Sequence, residues 1–268
     1  MNVPLASEVA ASPILLRTDA DGVTTLTLNR PAHFNALSEE LLTGLQTALA
    51  AIAMDPTVRV VVIAGAGKAF CAGHDLKQMR SRHDKAVLQK LFKQCGRVMT
   101  TIAEIPQPVI ARVQGIATAA GCQLVASCDL AVAADNARFA VSGINVGLFC
   151  GTPGVALSRA MGRKEAMEML LTGDFIDATE AQRRGLINRV VPVDQLDDEV
   201  GKLAASICAK SAVAVSMGKQ LFYRQLEMGV EAAYQLAAET MACNMMSEDA
   251  GHGIDAFMAK QKPEWKHR

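Results

Sequence analysis

A chain of 268 residues, half of them hydrophobic, can bury a sizeable core, which excludes disorder as its main state. Its 27 basic residues balance its 27 acidic ones, so no global positive field is available to hold a nucleic-acid backbone, and an anionic ligand must be met by local charges. Seven scattered cysteines without a C-x-x-C pair exclude a disulfide framework or a zinc site and fit a reducing compartment. Met1 to Leu16 shows no basic stretch followed by a long apolar one, and no segment offers about eighteen uninterrupted apolar residues. A cytoplasmic protein with no metal and neither a membrane nor a nucleic-acid partner is the expectation.

In chain order, Val23 to Leu28 has the β-branched content of a strand, and Asn29-Arg30-Pro31 ends it. Ser38 can cap a helix whose Leu41, Leu42, Leu45, Leu49 and Ile52 form one apolar stripe. After Asp55-Pro56, Val58 to Ala64 is a near-continuous apolar run, as expected of a strand covered on both faces. A polar helix from about Asp84 to Glu104, a strand at Val109 to Val113, a loop feeding a buried helix over Gly115 to Cys128, and a strand at Leu130 to Ala134 follow. Periodicity alone therefore suggests a parallel, doubly wound α/β sheet. From Met161 helix formers dominate, with candidate helices at Lys164–Leu171, Ala178–Arg184, Asp194–Ala209, Val213–Met228, Glu231–Met246 and Asp249–Ala259. The shift divides the chain into an α/β core, 1–190, and a helical region, 191–268.

Two segments carry chemistry. Ala64 to Lys77 is a glycine-rich turn directly after a buried strand, where α/β proteins place ligand-binding backbone amides. It matches neither the P-loop nor the dinucleotide fingerprint, since Phe70 stands where a third glycine is needed. Without a ligand it would be only a sharp strand-to-helix connection. In Val113 to Cys128, small residues from Ala117 to Gly121 let a helix begin deep inside the protein. Its first amides would then be free to stabilise an oxyanion. Equally, small residues there would simply allow close helix packing.

Asn29-Arg30-Pro31 with Asn35-Ala36-Leu37, then Phe70 to Leu76 (FCAGHDL), Gly115 to Asp129, and Leu171-Thr172-Gly173 with Ala178, Ala181 and Gly185-Leu186-Ile187 fall in a recognisable order. With these motifs, over about residues 14 to 266, the chain resembles the enoyl-CoA hydratase/isomerase (crotonase) family. The resemblance implies an α/β spiral of β-β-α units in two sheets, followed by C-terminal helices used for trimerisation, often as a dimer of trimers. It implies an acyl-CoA substrate, with coenzyme A part of that substrate and no separate cofactor, and a lyase or isomerase role in fatty acid metabolism. Carried over by position, the oxyanion-hole amides fall on His74 and Ala120. Substrate and CoA contacts fall on Phe34, Ala36, Lys68, Ala72, Lys77 and Gly121, and Phe257 and Lys260 match residues that reach a neighbouring subunit's CoA in some members. Lys68 and Lys77 could alternatively be plain solvated lysines.

The departure from the family pattern is the acid/base pair. Where hydratases carry two glutamates, this chain has Gln123 and Gly143. Glutamine can orient water but cannot take its proton, and general acid/base help is worth about 10²- to 10⁴-fold per group. Among nearby groups, His74 is a candidate base and Cys150 a candidate nucleophile, while Asp75 reads as a helix cap and Asp129 as structural. Ser142 and Asn145 also fall near the site, and Gly151 aligns loosely with a glycine that helps place water. The expectation is an acyl-CoA-binding protein that works chiefly through its oxyanion hole. The rivals are a non-catalytic acyl-CoA-binding or regulatory protein and a hydratase with a relocated pair.

Overall fold

The computed structural model describes residues 12–82 and 84–268, so most of the N-terminal segment read above for a leader lies outside the described residues. The first hairpin pairs β1 (Leu15–Ala20) with β2 (Val23–Leu28). Helix α1 (Glu39–Ala53) is capped by Ser38, whose hydroxyl accepts from the Leu41 amide, and buries the stripe that its spacing predicts. Three further turns then repeat one unit: a strand in the first sheet, a short strand in a second sheet, and a helix. These turns are β3 (Val60–Gly65), β4 (Ala69–Cys71) and the helices α2 (Leu76–Ser81) and α3 (Lys85–Glu104); β5 (Val109–Val113), β6 (Ile116–Thr118) and α4 (Ala120–Ser127); and β7 (Leu130–Ala134), β8 (Arg138–Ala140) and α5 (Gly151–Ala160). Helix α6 (Arg163–Thr172), strand β9 (Ile176–Asp177), helix α7 (Ala178–Arg183) and strand β10 (Arg189–Val191) complete the spiral.

Six strands form the first sheet, in the order β1-β2-β3-β5-β7-β10, parallel from β2 onward. Four make the second, β4-β6-β8-β9. The doubly wound reading is thus corrected: the sheet has a second sheet as its companion. The long apolar strands are buried on both faces for different reasons. In β3, Val61 and Ile63 face the main core with α1, α3 and α4, while Val60 and Val62 face a smaller outer cluster. That outer cluster is closed by Leu196, Val200 and Ala204 of α8 (Leu196–Cys208), so the covering of the sheet continues past residue 190.

Turns of the spiral stack closely, and glycines at the corners permit it. A Cβ on Gly115, at φ 61°, would lie 2.0 Å from the Lys68 carbonyl oxygen. One on Gly65 would lie 2.5 Å from that of Phe70. Asn35, buried at φ 56°, ties the segment before α1 to this corner. Its amide nitrogen donates to the carbonyls of Ala66, Ala69 and Phe70, and its oxygen accepts from the Arg30 amide.

Helices α9 (Ala212–Gln225), α10 (Val230–Met245) and α11 (Glu248–Met258) follow. The single buried residue of α9 is Lys219. Its ammonium donates to the carbonyls of Ile102 and Gln107 and to Asp129, all within 2.8 Å. Asp129 also accepts from the Tyr223 hydroxyl and the Val109 amide. Burial pushes the Lys219 pKa down and Asp129 only partly restores it. Asp129 is therefore structural, as its place before β7 suggests, and it moors the C-terminal helices to the core. Removing one partner of such a buried pair strands the other charge. Lys219→Ala should accordingly cost about 3–5 kcal/mol by chemical denaturation, while Arg183→Ala, which cuts a solvent-exposed pair with Glu180, should leave the midpoint unchanged.

Candidate active site

The segment Ala72 to Asp75 leaves β4 alongside the residues before α1. Ala72 donates its amide to Phe34, and the Leu37 amide donates to the Gly73 carbonyl at 2.7 Å. The Asp75 amide donates back to Leu37 at 3.2 Å, completing a parallel bridge between Leu37 and His74. Because this bridge uses the peptide groups on either side, the His74 N–H points away from it and has no hydrogen-bond partner among the described residues. Asp75 then caps α2 by accepting from the Gln78 amide at 3.2 Å and pairs with Arg30 at 3.1 Å. Burial alone would raise its pKa, but that amide and the guanidinium outweigh it and hold the carboxylate ionised. The reading of Asp75 as a cap holds, and these contacts account for its charge.

The second amide comes from the next turn of the spiral. Ala119 donates to the Ala140 carbonyl and then adopts φ 50°, ψ −120°, a conformation costly for any residue with a Cβ. That turn starts α4 at Ala120, whose N–H, as the first of the helix, has no intrahelical acceptor and no capping side chain. The two segments touch: a Cβ on Gly73 would stand 3.1 Å from the Ala120 nitrogen and 2.8 Å from the Ala119 methyl carbon.

His74 and Ala120 line one cavity of about 310 Å³, with Ala72, Ala119, Gly143, Ser142 and Cys150. Leu76, Met79, Phe92, Val146, Leu148 and Phe149 make most of the remaining wall. Among the described residues, no carboxylate, lysine or arginine lines it. A larger cavity of about 1030 Å³ between α5, α6 and α9 includes neither amide and shares only Phe149 and Gly151 with the first.

The two positions of the missing acid/base pair fare differently. Gly143 is in the cavity wall, but a Cβ there would lie 2.5 Å from the Leu148 carbonyl oxygen and 2.7 Å from the Cys150 sulfur. The space for a second carboxylate is filled by the loop itself. Gln123, one turn into α4, is buried behind the wall rather than in its lining, and its side-chain oxygen has no partner among the described residues. The groups weighed as substitutes are weak ones. Burial pushes the His74 imidazole down to about 4, against a smaller opposing hydrogen bond to the Leu37 backbone, and both ring nitrogens are closed off from solvent, so the ring is not placed to take a proton from water in the cavity. Burial likewise raises the Cys150 thiol, which opposes formation of a thiolate.

Of the expected CoA contacts, Ala72 lies in the cavity wall, whereas Phe34, half exposed at φ 49°, and Ala36 precede the Leu37–His74 bridge outside its lining. Lys68 and Lys77 are exposed and make no salt bridge among the described residues. Gly121 has a packing role: a Cβ there would lie 2.1 Å from the Cys71 carbonyl oxygen. Phe257 and Lys260, at the exposed end of α11, do not line this cavity within one chain. The backbone strain at Ala119 and the hydrogen bond between the Thr118 and Ser142 hydroxyls at 2.8 Å were not legible beforehand, although Thr118 and Ala119 lie in the Gly115 to Asp129 motif, since an alanine gives no sign of a positive φ.

Comparison with known proteins agrees with this architecture. Residues 18–268 match the enoyl-CoA hydratase/isomerase family. The chain belongs to that family. The mitochondrial enoyl-CoA hydratase domain-containing protein 3 of Xenopus laevis is 44% identical over 262 residues, 98% of this chain and 89% of the relative. The human protein of that name is 45% identical over 247 residues, 92% and 82% of the two chains. A solved enoyl-CoA hydratase from Mycobacterium smegmatis superposes with a TM-score of 0.93 at 59% identity, covering 94% of this chain and 99% of that one. The crotonase fold expected from the motifs is thus the observed one. The cytoplasmic expectation is overturned, because these vertebrate relatives are named as mitochondrial.

Because the His74 pKa is depressed in the folded state, the unfolded chain binds the extra proton between about pH 6.5 and 4. Folding stability should therefore fall as pH drops through that window. In His74→Phe, denaturant titrations across the same range should show a smaller loss.

Proposed function

We propose that this chain binds an acyl-CoA thioester in the His74–Ala120 cavity and polarises the thioester carbonyl with those two amides. The observation that carries this reading is the pair of unbonded N–H groups, contributed by successive turns of the spiral to one cavity. A preorganised donor of this kind is worth about 2.7–4 kcal/mol to a developing oxyanion. Lys68 and Lys77 are exposed cations suited to the CoA phosphates. Family membership and the relatives' names support the substrate class.

The cavity supplies no acid or base matched to water addition, because no carboxylate among the described residues lines it and the His74 ring nitrogens are closed off from solvent. The reactions left to it are those an oxyanion hole serves alone, such as decarboxylation or a step in which the substrate provides its own proton. The same lack of a carboxylate favours, as the second reading, a protein that binds acyl-CoA without converting it. A screen of acyl-CoA thioesters, with mass-spectrometric detection of bound and converted species, separates the two. Turnover of any thioester supports the first, and saturable binding without product supports the second.

On crotonyl-CoA, hydration should fall well below the ordinary enzyme range of about 10⁴ to 10⁸ M⁻¹s⁻¹ in kcat/KM. Gln123→Glu alone should not restore it, because that side chain lies behind the wall, and Gly143→Glu should destabilise the loop it enters. A wild-type rate inside that range would contradict the reading.

The reading extends to assembly as a homotrimer or a dimer of trimers. Helices α9 to α11 leave Phe222, Leu226, Val230, Tyr234, Met241 and Phe257 more than half exposed, an apolar area that a free-standing chain would not keep in water. Sedimentation should show a trimer or hexamer at micromolar concentration, and a stable monomer would contradict it.

A further inference from the structure

The cavity adjoins a second one across two side chains. Phe92 of α3 and Thr152 of α5 line both the cavity of about 310 Å³ and a groove of about 540 Å³. The rest of the groove is Asp84, Lys85, Leu88, Gln89 and Lys93, from α3 and its capping residue. No other described residue lines both spaces, so Phe92 and Thr152 mark the boundary between them. Helix α3 is itself fixed, with Leu91, Cys95, Val98, Met99 and Ile102 buried in the core. The Phe92 ring packs edge-on against the His74 imidazole, with centroids 5.4 Å apart and planes at 65°, an arrangement that aromatic rings prefer. His74 in turn is held by its bridge to Leu37. The larger of the two boundary side chains is therefore braced by the residue that supplies one of the two amides.

An acyl chain whose carbonyl sits at those amides has Leu76, Met79, Val146 and Leu148 for its wall, with no charged side chain among the described residues. Each methylene buried there should tighten binding about fourfold. At Phe92 that gain stops, because a further carbon must displace a ring packed against His74, and overfilling packed space is unfavourable. Past the ring the surface again suits hydrocarbon. Leu88 lies one helical turn from Phe92 on the same face of α3, and the stems of Lys85 and Lys93 line the same groove. Chain length is thus limited by one side chain and not by a lack of apolar surface beyond it.

We propose that Phe92 is a specificity-determining residue that closes the far end of the acyl cavity, so that this protein selects short hydrocarbon acyl groups and excludes long ones from the groove behind the ring. The inference rests on the acyl-CoA reading of the cavity and narrows its substrate class.

The test is calorimetric binding of saturated acyl-CoA thioesters, lengthened two carbons at a time from butanoyl to dodecanoyl. With the wild-type protein, affinity should climb by about fourfold per methylene over the first members and then level off or fall before dodecanoyl. In Phe92→Ala the climb should continue at least one step further. Adding Leu88→Trp to that variant fills the groove and should cancel the extension, a result that general loosening of the fold would not give. An unbroken climb to dodecanoyl in the wild type would overturn the proposal, even if Phe92→Ala fails to fold. A break at the same chain length in Phe92→Ala would overturn the role of the ring, and an extension that survives Leu88→Trp would overturn the groove as the space it guards. Failure of the wild type to bind any acyl-CoA would overturn the acyl-CoA reading itself, so the two failures are distinguishable.

Discussion

The site depends on how closely α4 approaches β4. Gly121 lies against the Cys71 carbonyl so tightly that a Cβ would stand 2.1 Å from the oxygen, and Gly73 meets Ala119 and Ala120 almost as closely. This contact brings the first turn of a buried helix against the strand end of the preceding unit. The residues that carry the two unbonded amides thereby line the same cavity. A methyl group at either glycine would push the two turns apart, and the site would be lost before any chemistry were touched.

Each amide is free for a structural reason rather than by loose packing. At His74 the neighbouring peptide groups are committed to Leu37, so the alternate N–H must point the other way. At Ala120 the helix geometry leaves the first N–H without an acceptor, and Ala119 before it adopts an unfavourable backbone conformation. Strain of that kind costs about 1–3 kcal/mol, and the surrounding β6–β8 pairing has to hold it in place. Donors fixed in this way need little reorganisation when negative charge develops, which is what gives backbone amides their value in a dry cavity. Among the described residues no lysine, arginine or carboxylate lines the cavity, so its chemistry is set by these dipoles.

Much of the framework was legible because it follows from periodicity. The strands Val23–Leu28, Val109–Val113 and Leu130–Ala134 fall where β-branched and apolar runs place them, and Ser38 starts α1 as its side chain predicts. The second sheet was not legible. Strands such as Ala69–Cys71 and Ile116–Thr118 are three residues long, too short to show alternation, and follow glycine corners that read as loops. The C-terminal helices were visible by composition, but the role of Lys219 was not, because a lysine in an amphipathic helix ordinarily faces water. At the site, the family motifs pointed to His74 and Ala120, which the structure places on one cavity. They did not reveal that Leu148 and Cys150 occupy the space beside Gly143, since that depends on how the loop folds back.

The central claim is that the amides of His74 and Ala120 jointly hold the thioester carbonyl of an acyl-CoA. Difference infrared spectroscopy with a carbon-13 label at that carbonyl measures this directly, because hydrogen bonding to the oxygen weakens the C=O bond. The stretch should move to clearly lower frequency on binding than it shows in water. A bound thioester whose carbonyl stretch is unshifted, or raised as in an apolar solvent, would contradict the account.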